Sequence, residues 1–263
     1  MKTISISTLN AMKENDEKFA VLTAYDYTFS RLIESSSIEV SLVGDSLGNV
    51  IQGCDSTIPV TVDEMAYHTA AVKRGNKRSL LVSDMPFMSY STEVNALDNA
   101  AVIMQAGAQM VKLEGGEWLA DTVHLLTERG IPVCGHVGLT PQSVHKLGGY
   151  KVQGKDDHAA DQMIKEALIL EEAGADLMVV ECVPSSLGDD LSAALNIPVI
   201  GIGAGPGTDG QVLVLQDMLG ISQRLPKFSK DFLKESNSIQ DAITAFGNEV
   251  RSGTFPAPEH SFK

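Results

Sequence analysis

Eight short apolar segments, rich in β-branched residues, recur along the whole chain, and most are followed by Gly, Pro or Asp and then by a helical pattern. They are FAVLTA (19–24), VSLVG (40–44), SLLVS (79–83), QMVKL (109–113), IPVCG (131–135), LMVVE (177–181), IPVIGI (197–202) and VLVLQ (212–216). Between them, apolar positions repeat at helical spacing in VDEMAYHTAAVKRG (62–75), EVNALDNAAVIMQAGA (93–108), EWLADTVHLLTERG (117–130) and AADQMIKEALILEEAGA (159–175). Several of these close on or near a glycine, as helices often do. Strand alternating with helix implies a parallel sheet covered by helices. Eight strands in 263 residues fit a closed (β/α)8 TIM barrel better than an open doubly wound sheet. The expectation is a single α/β barrel domain over 1–263. Its eighth strand carries the weakest signal, because only a short stretch separates it from the seventh.

The connections fall into two kinds. In ERGIPV, EAGADLMVV and ALNIPVIGIG a helix ends and a strand starts at once, which marks the N-terminal face of a barrel. Those after strands are longer and richer in Gly, Pro, Asp and Ser, notably GDSLGNVIQGCDSTIPVT, DMPFMSYST and HVGLTPQSVHKLGGYKVQGKDD. In such barrels function lives on that second face. The Gly- and Lys-rich loop 144–157 is a lid candidate by length and composition. No linker, charge block or repeat divides the chain. The tail SGTFPAPEHSFK reads as irregular, packed on the body or on a neighbouring subunit.

Charge narrows the partners. The chain has 20 basic and 34 acidic residues, a formal net charge of -14, a field that repels nucleic acid and anionic membranes over about a Debye length. An anionic small substrate would be repelled too, so a site for one must carry its own cation, a buried Lys or a metal. Cys54, Cys134 and Cys182 are odd in number and lack CxxC spacing, which predicts buried free thiols rather than a zinc site. The N-terminal stretch has no apolar core of a signal peptide, and nothing later approaches about 18 consecutive apolar residues. A cytoplasmic protein is expected.

Where strands stop, polar side chains stand in positions that stability alone would fill differently: Asp45, Asp84, Lys112 with Glu114, His136 and Glu181. Each has a bland reading. Asp45 and Asp84 could cap helices, Lys112 and Glu114 could form a structural ion pair, His136 could bond inside the barrel mouth, and Glu181 could accept loop NH groups. Together the bland readings fit poorly, because the four carboxylates would converge on one mouth and repel one another without a cation. Carboxylate oxygens suit a hard divalent ion, and Mg²⁺ is the first choice. Lys112 and Glu114 share strand parity, so both can point into the barrel while Val111 and Leu113 face the helices. In GIGAGPGTDG (201–210), Gly205, Gly207 and Gly210 match G-x-G-x-x-G, but no fresh βαβ nucleotide unit follows. A phosphate cradle or a tight loop admitting a ligand to the backbone remain.

Longer strings add a resemblance. LTAYDY (22–27), VGDSLGNV (43–50), GCDSTIPVTVDEMAYHT (53–69), DMPFMSY (84–90), VKLEGG (111–116), GHVGLTPQSVHKLGGYKVQGK (135–155), ECVP (181–184), IGIGAGPGTDGQVLV (200–214) and FPAPEHSF (255–262) together resemble the ketopantoate hydroxymethyltransferase family. The resemblance implies a barrel like that of phosphoenolpyruvate mutase and isocitrate lyase. It also implies transfer of a hydroxymethyl group from 5,10-methylenetetrahydrofolate to 3-methyl-2-oxobutanoate, through a Mg²⁺-stabilised enolate, on the way to pantothenate. Asp45 and Asp84 would be metal ligands, with Glu114 joining the metal shell. Ser46, Lys112 and His136, with the two aspartates, would contact substrate, and Glu181 would be the proton acceptor. A homo-oligomer, commonly a decamer, is implied as well. The nearest enzymatic rival is a Mg²⁺-dependent lyase or mutase of the phosphoenolpyruvate mutase type. Its lyases carry a lysine-cysteine-glycine-histidine string that this chain lacks. A catalytically silent metabolite-binding barrel would not need the full acid, base and metal set.

Overall fold

The alternating segments become β1 (Phe19–Thr23), β2 (Val40–Val43), β3 (Leu80–Asp84), β4 (Met110–Glu114), β5 (Val133–Gly138), β6 (Leu177–Glu181), β7 (Val199–Ile202) and β8 (Gly210–Leu213). In a computed structural model that describes residues 3–263, they pair in parallel and in chain order, and β8 returns to β1 to close the barrel. The period of two sorts each strand. Val21, Val40, Val82, Met110, Cys134, Val179, Ile200 and Val212 fill the interior, while Leu22, Leu81, Val111, Leu113 and Val180 pack outward among the helices. A Leu81→Ala change in that outer layer, where the side chain is fully buried, would cost about 2–5 kcal/mol.

The main helices are α1 (Ile6–Glu14), α2 (Tyr27–Ser35), α3 (Val62–Gly75), α4 (Glu93–Gln105), α5 (Ala120–Glu128), α6 (Asp157–Glu172), α7 (Ser185–Ala194) and α8 (Ile239–Arg251). Their starts follow local chemistry. At α3, Thr61 N donates to Glu64 Oε2 at 2.8 Å and Glu64 N donates back to Thr61 Oγ1 at 3.3 Å, a reciprocal cap. Helix α1, unsigned in the sequence, belongs to the barrel's underside: Ile4 and Leu9 join the interior cluster, and Lys13 is held to Asp209 at 2.7 Å. None of the helices among the described residues is long and apolar enough to cross a membrane.

Several expectations need correction, among them the start of β7, which is Val199 rather than Ile197. β8 starts at Gly210, two residues before the expected 212–216, and ends at Leu213, three residues before that span ends, because Gly210 and Gln211 pair with Ile200 and Gly201 of β7. β5 begins at Val133 rather than Ile131 and runs to Gly138, held by pairing of Cys134–Gly138 with Leu177–Glu181. The span 117–130 opens as a 3-10 turn, Glu117–Leu119, before α5. Cys54 is only half-buried, whereas Cys134 and Cys182 are buried. It stands in the loop between β2 and α3, outside any apolar run.

Strict alternation also fails between β7 and β8, where 203–209 returns the chain to the barrel floor without a helix. The return lies so close to its neighbours that a Cβ at Gly205 would meet Ser185 at 2.6 Å and one at Gly207 would collide with the Asp189 carboxylate. Close packing against Ser185 and Asp189 thus accounts for these two glycines. The C-terminal tail packs on the body: Phe255 is buried in the outer core, and Ser185 N donates to the Phe262 carbonyl at 3.0 Å.

Candidate active site

Parity and strand length bring the expected polar residues to one place. Asp84, Glu114 and Glu181 are the last residues of β3, β4 and β6, while Lys112 and His136 point inward from within β4 and β5. Asp45 and Ser46 follow β2 directly beyond Gly44. All seven line a single cavity of about 150 Å³ at the C-terminal mouth. Glu181 differs from the others in access: its side chain is 13% exposed, against 2–4% for Asp84, Lys112, Glu114 and His136.

Lys112 is the hub of the buried charge. Its Nζ stands 3.2 Å from Asp84 Oδ1, 3.6 Å from Glu114 Oε1 and 3.1 Å from His136 Nδ1. Burial would favour the neutral amine, but Asp84, Glu114 and Asp45 outweigh it and raise the Lys112 pKa above its ordinary value. The charged Nζ has no lone pair, so it can only donate to Nδ1. In the neutral imidazole the proton therefore sits on Nε2, which lies 3.4 Å from Glu181 Oε2. Burial and Lys112 disfavour a charged His136, Glu114 and Glu181 favour it, and the balance lies above the ordinary histidine value.

The carboxylates are not equivalent. Burial, then the charges of Glu114 and Asp84, push the Asp45 carboxyl well above its usual range. Burial raises Asp84 too, against the pull of Lys112. Glu114 is also desolvated, but Lys112 and His136 prevail and hold it low. Neither aspartate caps a helix. Asp84 Oδ2 accepts the backbone NH of Asp45 at 3.0 Å, and Asp45 Oδ2 accepts from Gln142 Nε2 at 2.9 Å.

Gln142 is the site residue that sequence reasoning missed. Besides Asp45, its Nε2 donates to the Met85 carbonyl at 2.9 Å, its backbone NH donates to Glu114 Oε2 at 3.0 Å, and Tyr90 Oη donates to its Oε1. An amide within GLTPQS has no periodicity or spacing to signal this. Ser46 is likewise fixed, its Oγ 2.8 Å from Tyr25 Oη. The loop 144–157 opens with a helical turn, Val144–Leu147, and then turns through Gly148 and Gly149 at positive φ. It is tied back to the mouth by Gln153 N donating to the Cys182 carbonyl at 2.9 Å.

Residues 3–258 match the family described as ketopantoate hydroxymethyltransferase. The 3-methyl-2-oxobutanoate hydroxymethyltransferase of Marinomonas sp. (strain MWYL1) is 58% identical over 263 residues, covering 100% of this chain and 96% of that protein. Among solved structures, 2,3-dimethylmalate lyase, a PEP mutase/isocitrate lyase superfamily member, superposes with a TM-score of 0.59 at 15% identity, covering 81% of each chain. Phosphonopyruvate hydrolase, in a complex with oxalate and Mg²⁺, gives 0.62 at 12% identity and covers 98% of this chain and 93% of that one. These two likenesses concern the barrel alone. The full-length matches carry more: this chain is an enzyme and belongs to the ketopantoate hydroxymethyltransferase family.

Proposed function

We propose that the chain transfers a hydroxymethyl group from 5,10-methylenetetrahydrofolate to 3-methyl-2-oxobutanoate, giving 2-dehydropantoate for pantothenate synthesis. The observation that carries this reading is the convergence of two aspartates, Lys112, His136 and Glu181 on one small buried cavity in a member of that family.

The donor set fits Mg²⁺. Asp84 Oδ1 is buried and faces Lys112 Nζ at 3.2 Å, and burial, then the charges of Glu114 and Asp84, raise the Asp45 carboxyl, so a second cation between the two aspartates would be favoured. No group of three His, Cys, Asp or Glu among the described residues forms a metal cage. That suits Mg²⁺, which takes one or two carboxylates and completes its shell with water and substrate oxygens. Asp45 and Asp84 would hold the ion. Glu114, whose oxygens face Gln142 N, Lys112 and His136, would act on it through an intervening water. Bound there, Mg²⁺ supplies Lewis-acid polarisation of the 2-oxo group.

The protein's own groups do the rest. Lys112 neutralises the substrate carboxylate or the oxygen that gains charge as C3 is deprotonated. Ser46 and His136 fix the oxo acid in place. Glu181, the most accessible carboxylate, takes the C3 proton, a contribution of about 10² to 10⁴ in rate, or about 3–5 kcal/mol. Water cleaves the two C–N bonds of the folate methylene, releasing tetrahydrofolate and a formaldehyde-level carbon, and the C3 carbanion equivalent adds to that carbon, whose oxygen then takes up the proton removed from C3 to become the hydroxymethyl group. We also infer a homo-oligomer, a decamer by family resemblance. Exposed apolar side chains at Tyr67, Met88, Val94 and Trp118 support it, and sedimentation of the purified chain tests it. The test of the reaction is incubation with 3-methyl-2-oxobutanoate, methylenetetrahydrofolate and Mg²⁺. Mass detection of 2-dehydropantoate is expected, and its absence would end the reading.

A further inference from the structure

Glu181 lies on the wall between two cavities, the buried one and a neighbour of about 380 Å³. The neighbour is apolar and aromatic, lined by Leu139, Tyr150, Phe228 and Phe262. Its aromatic wall is a built feature. A Cβ at Gly203 would stand 3.0 Å from both the Phe228 and Phe262 rings, and its φ of 62° is one glycine adopts freely. Phe262 is pinned by Ser185, whose N and Oγ both donate to its carbonyl at 3.0 Å.

The rim carries Arg224 and Lys227. Neither forms an ion pair among the described residues; Lys227 Nζ donates to the Ser261 carbonyl and lies 4.9 Å from the centre of the Phe262 ring, a contact that a ligand ring would share or displace. In a chain of net charge -14, two cations without carboxylate partners beside one aromatic cavity suit an anionic ligand with a flat apolar body.

Reaction geometry selects the ligand. The buried cavity suits a small oxo acid, and the carbon electrophile must reach the same C3 that Glu181 deprotonates, so it arrives through the wall Glu181 shares. The other adjoining cavity, of about 570 Å³, touches the site at Ser46 and Asn49 instead and presents Asp55 and Asp217, which would repel an anionic tail. Arg224 stands between the two openings. We propose that the aromatic cavity docks the reduced-pterin one-carbon donor, with its ring among Tyr150, Phe228 and Phe262 and its glutamate carboxylates at Arg224 and Lys227. The assignment rests on the functional reading above, which supplies the ligand class.

The test is calorimetric titration of the full chain, with Mg²⁺ and 3-methyl-2-oxobutanoate present. The probes are tetrahydrofolate and 6,7-dimethyltetrahydropterin, which lacks the benzoylglutamate tail. Tyr150→Ala and Phe262→Ala should each weaken both probes by about tenfold, the scale of a lost aromatic stack. The double variant R224Q/K227Q should weaken tetrahydrofolate by about tenfold and leave the truncated pterin within about twofold. Oxo-acid affinity should persist in all three, which also certifies their folding. Wild-type binding of tetrahydrofolate with unchanged affinities in every variant would overturn the cavity assignment while the functional reading stands. Loss of oxo-acid affinity in step with pterin affinity would also overturn it, by making these side chains part of the buried site. A wild type that does not bind tetrahydrofolate at all, with or without oxo acid, would defeat the functional reading and the assignment with it.

Discussion

Gln142 Nε2 donates to Asp45 Oδ2 at 2.9 Å although 97 positions separate the two residues. With its bonds to Met85 O and Glu114 Oε2, Gln142 ties the loop after β5 to the ends of β2, β3 and β4. Hydrogen bonds to charged groups are worth about 1.5–3 kcal/mol, so Gln142→Leu should lower the thermal midpoint. By loosening Asp45 it should also raise the KM for the oxo acid about tenfold, the rate equivalent of about 1.4 kcal/mol. Circular dichroism should stay as in wild type. An unchanged KM would show that Gln142 supports the fold and not the site.

That residue also shows where sequence reading stops. Lys112 and Glu114 were readable because a strand alternates strictly, and two positions on one strand must share a face. Asp84 and Glu181 were readable because a carboxylate closing an apolar run has little reason to be there otherwise. Gln142 reaches the site through a loop whose path depends on the closed barrel, and no local rule encodes that path. Helix α1 was missed for the same kind of reason: Leu9 is fully buried only because the barrel floor exists to receive it. The G-x-G-x-x-G match illustrates the reverse, a local pattern whose glycines are explained by Ser185, Asp189 and Phe19 pressing against the return segment.

Asp84→Ala should leave the fold intact and sharply cut Mg²⁺-supported turnover. It removes an inward oxygen from a site with few protein ligands and frees Lys112 from its nearest carboxylate, 3.2 Å away. The measurement is turnover against Mg²⁺ concentration, with the variant's half-saturation shifted upward. Full activity of chelator-treated wild type would remove the metal from the proposal.

The raised carboxyls of Asp45, pushed up by burial and then by Glu114 and Asp84, and of Asp84, pushed up by burial, carry a signed pH dependence. An acid with a raised folded pKa binds its proton more tightly when folded, so ionising it costs stability. The cost is absent below the unfolded value, grows as pH rises toward the folded value and is complete above it. A divalent ion on the ionised pair offsets that cost. Mg²⁺ should therefore raise the thermal midpoint more at about pH 8 than at about pH 5, and Asp45→Asn should flatten the difference. Equal shifts at both pH values would contradict the assignment of these two carboxyls to the metal.

The loop 144–157 is proposed to act as a lid over the mouth. Its glycines at 148, 149 and 154 all have positive φ, and Tyr150 at its tip is 58% exposed beside the aromatic cavity. Amide hydrogen exchange of residues 148–156 should slow when oxo acid and tetrahydrofolate are both bound. Exchange rates that ignore both ligands would leave the segment as a fixed wall.

Glu181 poses the sharpest question, because its carboxylate faces His136 Nε2 at 3.4 Å and either group could be the base. If Glu181 accepts the proton, deprotonation of C3 is the first chemical step. It should then be visible without any folate as exchange of the C3 hydrogen of 3-methyl-2-oxobutanoate with deuterated water. Glu181→Gln keeps the size and most of the hydrogen bonding but cannot take up the proton. Mg²⁺ and oxo-acid binding should survive in the variant, while exchange falls by about 10² or more. Asp84→Ala should behave differently and weaken binding and exchange together. Wild-type exchange is the required control, since a base shielded from solvent would return the same proton and hide the step. The 13% exposure of the Glu181 side chain argues that solvent reaches it. With that control in hand, a Glu181→Gln variant exchanging at the wild-type rate would clear Glu181 of the role and pass it to His136, whose Nε2 would then have to be free of its proton.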